Sequence, residues 1–569
     1  MTDHTSRLRF ISIVVLIFAV ILVMRLFFVQ VIDGERYSQN ADRQYVAPAS
    51  NLFDRGSIFF KKKNGKTVSA ATLNYSYILA INPKELKNPK DTYNKISNII
   101  TIDEEDFLKK ANKINDPYEE IAKKISKADS VLISDLDIDG VGLHKEQWRS
   151  YPASSMASHA LGFVAFNGDK LEGRYGLERY YEDVLSREEE DLYVNFFAEV
   201  FSNIKTSFFN NSPSWKGDIV LSIEPSVQNF LEKEMLSVQE EWSSDFVGGI
   251  IINPQTGAIY ALGNLPDFDL NNFRNEDPKV FSNPTVENVF EMGSIMKPLT
   301  MAAAIDSGAV TAKTTYNDKG YVLLDGARIE NYDGKGRGIV SMQEVLNQSL
   351  NTGVVFAMEQ MGKEVFADYL RSYGIGEETG IDLPNETSGL ISNLNSNRNI
   401  EYATAAFGQG IATTPIGTVR ALSVLANGGL LITPHLVDEI NYKMGFSKNT
   451  FVNKEPKRVL KETTSEEISR ILVKVVDEAL LGGTVKLPNY SVAAKTGTAQ
   501  IANQEEGGYY DDRYLHSFFG YFPAYDPEFL VFLYTINPKE VRYASQTLTH
   551  PFINLTKFLI NYYEVPPDR

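Results

Sequence analysis

Hydrophobic positions are distributed in three different ways along this 569-residue chain. From Phe10 to Val29 (FISIVVLIFAVILVMRLFFV) they are nearly continuous, with Arg25 as the one charge. Such a run is about long enough to cross a bilayer core, and Arg25 sits near its far end, where the head group reaches the interface. From residue 30 to 215 the pattern is polar, charge-mixed and irregular, punctuated by Gly168-Asp-Lys170 and Asn210-Asn-Ser-Pro213. Tyr77 to Ile81, Val131 to Ile133 and His159 to Val164 stand out as packed segments, so this region reads as an elongated α+β pedestal and not as a linker. Turn residues at Ser212-Pro-Ser-Trp-Lys-Gly217 mark a boundary. Ile219 to Ile223 then opens a second domain, residues 216–569.

Within that domain helical spacing covers Ser226 to Gln239, Met342 to Met361 and Ser465 to Leu481, the last closed by Gly482-Gly483. Met292 to Ala304 (MGSIMKPLTMAAA) predicts the start of a buried helix, with Pro298 tolerable in its first turn. Strand patterns cover Val247 to Ile252, Ile259 to Leu262, Ser491 to Thr496, Ser517 to Phe522 and Phe529 to Thr535. A last helix, Pro551 to Tyr562, is expected to return onto the sheet. Strands, then helices, then strands again give an α+β class.

Length and charge narrow the picture. A chain of 569 residues is too long for one ordinary core, and two extracytoplasmic domains are expected. Arg7 and Arg9 precede the apolar run while Asp33 and Glu35 follow it. The positive-inside rule then puts residues 1–9 in the cytoplasm, a single transmembrane helix at 10–29 in the cytoplasmic membrane, and the rest outside. A cleaved signal peptide is the alternative; the length of the run and the lack of a small-x-small site stand against it. The chain has no cysteine, which excludes disulfides, thiol catalysis and cysteine metal sites. A formal net charge of −17 argues against nucleic acid as a partner. Neither H-E-x-x-H nor G-x-S-x-G is present, and no metal or cofactor is called for.

The chemistry lies in three strings: Ser294-Ile-Met-Lys297, Ser349-Leu-Asn351 and Lys495-Thr-Gly497. Each is cheap alone, since Ser202-Asn-Ile-Lys205, Ser38-Gln-Asn40 and Ser447-Lys-Asn449 also match one of the patterns. Their order and the elements that carry them are informative. Ser294 and Lys297, three apart on a helix, share a face. Tyr490 to Thr498 reads as a strand whose small residues, Gly497 among them, let a substrate backbone approach closely. A serine hydroxyl needs a neighbouring base, and a lysine serves only if burial or a second cation makes its ammonium unfavourable. Lys297 is therefore expected to take the proton of Ser294, with Lys495 as the second cation. Ser349 relays that proton to the leaving amine, and Asn351 orients Lys297 and holds the substrate amide. The backbone N–H of Ser294 and that of Thr498 are the expected oxyanion donors, and Thr496 and Gly497 are expected to bind substrate.

These strings, with others, resemble the class B penicillin-binding proteins. Asp54-Arg-Gly-Ser-Ile58 is similar to the family's R-G-x-I motif. Arg149-Ser-Tyr-Pro152 with His159-Ala-Leu-Gly-Phe-Val164 resembles its second motif, and Gly173-Arg-Tyr-Gly-Leu-Glu178 its third. Gly248 to Gly257, Gly408-Gln-Gly410 with Thr414-Pro415, and Lys495 to Gln500 are further family strings. Two departures stand out: Phe59-Phe-Lys-Lys-Lys-Asn-Gly65 where the family has Asp-Arg-Asn-Gly, and Glu291-Met-Gly293 where it has Glu-Pro-Gly, which is expected to loosen the helix entry. The resemblance implies a penicillin-binding, serine β-lactamase-like transpeptidase domain on a pedestal of the dimerisation type. It implies a D,D-transpeptidase that cross-links peptidoglycan stem peptides through a serine acyl-enzyme and is acylated by β-lactams. The implied partners are a polymerising glycosyltransferase and division or elongation proteins.

The septal, cell-division type is favoured over the elongation type, on a short N-terminal tail and the run Asn283 to Lys297. The rivals are a β-lactamase or β-lactam sensor, and a non-catalytic division scaffold. The stretch Asn503 to His516, with Tyr509, Tyr510, Asp511, Asp512 and Tyr514, is expected to be a loop beside the cleft, solvated and packed at its base by tyrosine. His516, Gln409 and Thr414 are read as structural.

Overall fold

The computed structural model describes residues 53–168, 170–187, 215–450, 456–503 and 507–569, together with residue 18. The expected tail 1–9 and span 10–29, apart from helical Phe18, lie outside them, as does Ser202-Asn-Ile-Lys205. Among the described residues no helix is long and apolar enough to cross a membrane. Chain contacts divide the molecule into two units, one with Leu73–Trp148 and one with Arg55–Thr72 and Arg149–Arg569.

The smaller unit is α+β. Its helices Pro89–Ser97, Glu104–Ala111 and Lys127–Ser134 each begin at a side chain that accepts a backbone N–H, from Asn88, Asp103 and Ser126. Tyr77 to Ile81 pairs antiparallel with Glu119–Ile125. Leu79, Ile81, Ile96, Phe107, Ile125 and Ile133 form its core.

The larger unit is built on a five-stranded antiparallel sheet. Its strands are β1 (Phe246–Ile252), β2 (Ile259–Leu265), β3 (Ala493–Ala502), β4 (Tyr509–Phe522) and β5 (Phe529–Ile536), in the order β3-β4-β5-β1-β2. Both faces are buried, so apolar residues occupy successive positions and alternate between two cores. Leu530, Phe532 and Tyr534 of β5 enter one core and Val531 and Leu533 the other. On the second face lie α1 (Pro225–Trp242) and the C-terminal helix Thr549–Tyr563, joined by Phe230 stacked on Phe558 at 4.2 Å. Such a pair adds about 0.5–1.5 kcal/mol beyond its buried area. On the first face lie α2 (Lys297–Asp306), α3 (Met342–Asn347), α4 (Asn351–Met361), α5 (Pro415–Ala426) and α6 (Glu462–Lys474).

Two expectations are corrected. The helix expected over Met342 to Met361 is two helices, interrupted at residues 348–350. The helix expected to run to Leu481 leaves α-geometry after Lys474 for a π-turn, Val475–Ala479, and a tight turn, Leu480–Gly483. π-Turns of this kind recur at functional sites, and Val475, Glu478 and Ala479 line the cleft described below.

The three N-terminal strings converge on one carboxylate. Glu178, fully buried, accepts Arg55 Nε at 2.6 Å, Arg149 Nε at 2.6 Å and Tyr151 OH at 3.2 Å. Arg55 Nη2 also donates to Glu178 O and Glu182 Oε2, each at 2.7 Å, and Arg149 Nη1 to Gly56 O at 2.7 Å. Burial pushes the Glu178 carboxyl up, but the two guanidiniums outweigh it and hold the group below its ordinary range.

Candidate active site

Ser294 is delivered by a pinned turn. Gly293 sits at φ +63°, a left-handed conformation that favours glycine. Gly293 N donates to Gly408 O at 3.1 Å, and Ser517 Oγ of β4 donates to Met292 O at 2.9 Å. The predicted helix start is a single 3₁₀ turn, Gly293–Met296, which runs into α2 with Pro298 in the first turn. The Glu291-Met-Gly293 departure leaves the entry tied down: Glu291 accepts Gly410 N at 3.0 Å and Tyr509 OH at 2.9 Å.

Ser349 occupies the break between α3 and α4, at φ +54°. That is a rare conformation for a non-glycine residue and costs of order 1–3 kcal/mol. The break was invisible in the hydrophobic period because Leu346, Leu350 and Val354, all fully buried, keep an unbroken i, i+4 spacing across it. Two lysines converge on Ser349. Lys297 Nζ lies 3.2 Å and Lys495 Nζ 3.0 Å from its Oγ, and Lys297 also donates to its carbonyl oxygen. Lys495 further donates to Thr496 O at 3.1 Å.

Both amines are buried, at 1% and 3% exposure. Burial first, and the Lys495 charge second, push the Lys297 ammonium well below its ordinary range. Burial alone brings Lys495 to about 7. Among the described residues the Lys297 side-chain amine has no hydrogen-bond partner but Ser349, and no carboxylate pairs with it. Asn351 donates Nδ2 to Glu330 O at 2.8 Å, so its amide is engaged with a neighbouring hairpin and not with Lys297.

The third string lies on β3, the edge of the sheet, beside the nucleophile turn. A Cβ on Gly497 would stand 2.8 Å from Met292 O, so only glycine lets the turn lie on the strand. A Cβ on Gly293 would stand 3.0 Å from Thr498 O. In an extended strand a residue's N–H and C=O point to the same side, so the Thr498 N–H shares the side of its carbonyl, which faces the turn at Gly293. Thr498 Oγ1 accepts Ala544 N at 3.1 Å. Ser294, Lys297, Ser349, Asn351, Lys495, Thr496 and Thr498 line one cleft of about 860 Å³.

The stretch expected as a loop before His516 is largely strand: Tyr509 to His516 belongs to β4 and lengthens its hairpin with β3, with Gln500 opposite Tyr514. Of the described residues of that stretch only Tyr514 lines the cleft. The pairing satisfies backbone groups that the polar composition had suggested were solvated. His516 is fully buried, bonded to Thr547 Oγ1 and Arg542 O, and burial brings it to about 4. Thr414 caps α5 through Gly417 N at 3.0 Å, while Gln409 lines the cleft. Ser447 lies on a short exposed strand and is no part of the cleft. Tyr332 and Tyr543, which no sequence signal singled out, meet edge to face at 6.1 Å at the cleft.

Comparison with known proteins gives a consistent set. A family model described as the penicillin binding protein transpeptidase domain matches residues 247–555, and one described as the penicillin-binding protein dimerisation domain matches residues 54–195. Stage V sporulation protein D of Bacillus subtilis is 32% identical over 558 residues, 96% of this chain and 84% of that protein. Peptidoglycan D,D-transpeptidase FtsI of Buchnera aphidicola is 26% identical over 98% of this chain and 96% of its own. The crystal structure of penicillin binding protein 2X from Streptococcus thermophilus shares the fold, with a TM-score of 0.76 at 20% identity over 90% of this chain and 81% of that one.

Proposed function

The chain belongs to the class B penicillin-binding proteins, the peptidoglycan D,D-transpeptidases, and from that premise we propose that it works through an acyl-enzyme on Ser294. Lys297, neutral at working pH, accepts the Ser294 proton as Oγ attacks the carbonyl carbon of the penultimate D-Ala. The oxyanion is received by the N–H groups of Ser294 and Thr498. As the C–N bond breaks, Ser349 passes a proton to the departing D-Ala amine and is reprotonated from Lys297. An amine of a neighbouring stem peptide then attacks the ester, and the same protons run in reverse. Asn351 holds the substrate amide, and Lys495, Thr496 and Gly497 hold the strand that ends in the carboxylate. A β-lactam presents the same carbonyl and acylates the same serine.

The observation that carries this reading is a buried lysine with no carboxylate partner, sharing one serine hydroxyl with a second buried lysine. A scaffold has no use for such an arrangement, since two buried amines cost stability.

We further propose that residues 10–29 anchor the protein in the cytoplasmic membrane with the catalytic domain outside, beside a glycosyltransferase and division proteins. Septal rather than elongation synthesis is the cellular role we assign, on the run Asn283 to Lys297. A fluorescent fusion confined to midcell supports that role, and one spread along the side wall overturns it.

The chemistry is tested by intact mass of the detergent-solubilised full chain after benzylpenicillin, beside Ser294→Ala. One adduct of the drug's mass, stable for many minutes and absent from the variant, is expected. Rapid drug turnover without a lasting adduct would instead make the protein a β-lactamase.

A further inference from the structure

Between α2 and α3 two short antiparallel ladders, Thr315–Asp318 with Gly338–Ser341 and Tyr321–Leu324 with Ala327–Glu330, carry a buried polar network that the chemistry above leaves unused. Asp318, 2% exposed, accepts Gly320 N at 2.9 Å, Arg337 N at 3.0 Å, Asn331 Nδ2 at 3.0 Å and Thr352 Oγ1 at 2.8 Å. Asn331, 3% exposed, uses its Oδ1 to accept Thr352 N at 3.2 Å. Tyr316 OH lies 3.0 Å from Thr352 Oγ1.

Thr352 follows Asn351 in the first turn of α4, and Leu350 before them supplies no side-chain cap. The first N–H groups of a helix have no partner within it. Here Asn331 provides one from a different hairpin, and the Asp318 carboxylate stands at the positive end of the helix. One residue back, Asn351 spends Nδ2 on Glu330 O, which leaves Oδ1, the acceptor atom, for the cleft. The same loop carries Tyr332, which lines the cleft beside Asn351. An apolar plug would fill this space at lower desolvation cost, whereas a fully bonded network admits one arrangement only.

We propose that Asp318, Asn331 and Thr352 are positioning residues for the acylation step, aiming Asn351 Oδ1 into the cleft from behind it. The inference rests on the acyl-enzyme reading. Thr352 bears it most directly: its side chain bonds Asp318 and its backbone bonds Asn331. Removing the hydroxyl lets the start of α4 relax and carries Asn351 with it, and a misplacement of this kind slows chemistry by about 10- to 100-fold.

The test is the second-order rate of labelling of the full chain by a fluorescent penicillin, with thermal midpoints measured alongside. The variants are Thr352→Val, Thr352→Ser, Thr352→Ala, Asn351→Ala and Thr352→Val/Asn351→Ala, with Ser294→Ala beside them. Thr352→Val is expected to slow labelling by that factor and Thr352→Ser to restore it. The double variant should be no slower than Asn351→Ala alone, because Thr352 acts through its neighbour. Thr352→Ala repeats the measurement should valine disturb the packing around Val345. A rate equal to wild type in both Val and Ala variants overturns the proposal. So does a double variant whose losses multiply, since that marks a merely structural role. Labelling that survives Ser294→Ala overturns the nucleophile assignment instead, whatever the Thr352 variants do.

Discussion

The molecule buries charge in two places and treats it in opposite ways. Around Glu178, the guanidiniums of Arg55 and Arg149 are matched by the carboxylates of Glu178 and Glu182 through bonds of 2.6–2.7 Å, and Glu178 is held in its charged form. Around Ser349, two lysines are buried to a similar depth, with no carboxylate paired to either among the described residues, and both are pushed toward the neutral form. The first arrangement is electrostatically closed and therefore inert. The second is left unbalanced, and the imbalance turns an amine that is normally an acid into a base. Burial alone does not mark a reactive group; burial without a partner does.

Four changes break or sharpen this contrast. Lys297→Met removes the base and is expected to cut penicillin acylation on the order of 10²- to 10⁴-fold. The same variant should unfold no earlier than wild type, because a buried amine is replaced by an apolar chain; labelling kinetics and a thermal scan check both halves. Glu178→Ala does the reverse. It leaves the buried Arg149 without a carboxylate and Arg55 with Glu182 alone, and should cost about 3–5 kcal/mol of stability in a denaturant titration. The labelling rate per folded molecule should be unchanged. Arg55→Lys keeps the charge but not the fork that spans Glu178 and Glu182, and an expected loss of about 1–2 kcal/mol measures the geometry apart from the charge.

The smallest effect is a matter of pH. The folded value of Glu178 lies below its ordinary 4.5, so its stabilisation is whole above that pH and is lost as acid carries the group through the folded value. Lys495 works in another window. Between about 7 and 10.5 the unfolded chain holds a proton that the native one has released, so stability rises with pH there. Lys495→Met should flatten that alkaline rise and leave the acid limb untouched.

Much of the site was legible because its chemistry needs particular residue types on particular elements. A lysine three places after a serine at a helix start, and a glycine on a strand, are demands of bonding and space. The interruption at Ser349 was not legible, because Leu346, Leu350 and Val354 continue the apolar stripe through it. The hairpin from Tyr509 to His516 was missed because its charged residues disfavour strand, while its pairing with β3 is decided by partners far along the chain. Tyr332 and Tyr543 come together through topology alone. The three N-terminal strings were legible as a set, yet nothing in their spacing tells that they share one carboxylate.

The turn that carries Ser294 is packed backbone against backbone. Gly293 lies against Gly408 on one side and the Lys495-Thr-Gly497 strand on the other, and a Cβ on Gly408 would stand 2.3 Å from Gly293 O. A population under selection by an inhibitor therefore has almost no viable substitutions there. Escape has to be found on the rim, at side chains such as Gln409, Gln500 and Tyr332, where a residue changes without displacing a neighbour's main chain. A compound whose contacts are confined to that turn would leave such a population little room to adapt.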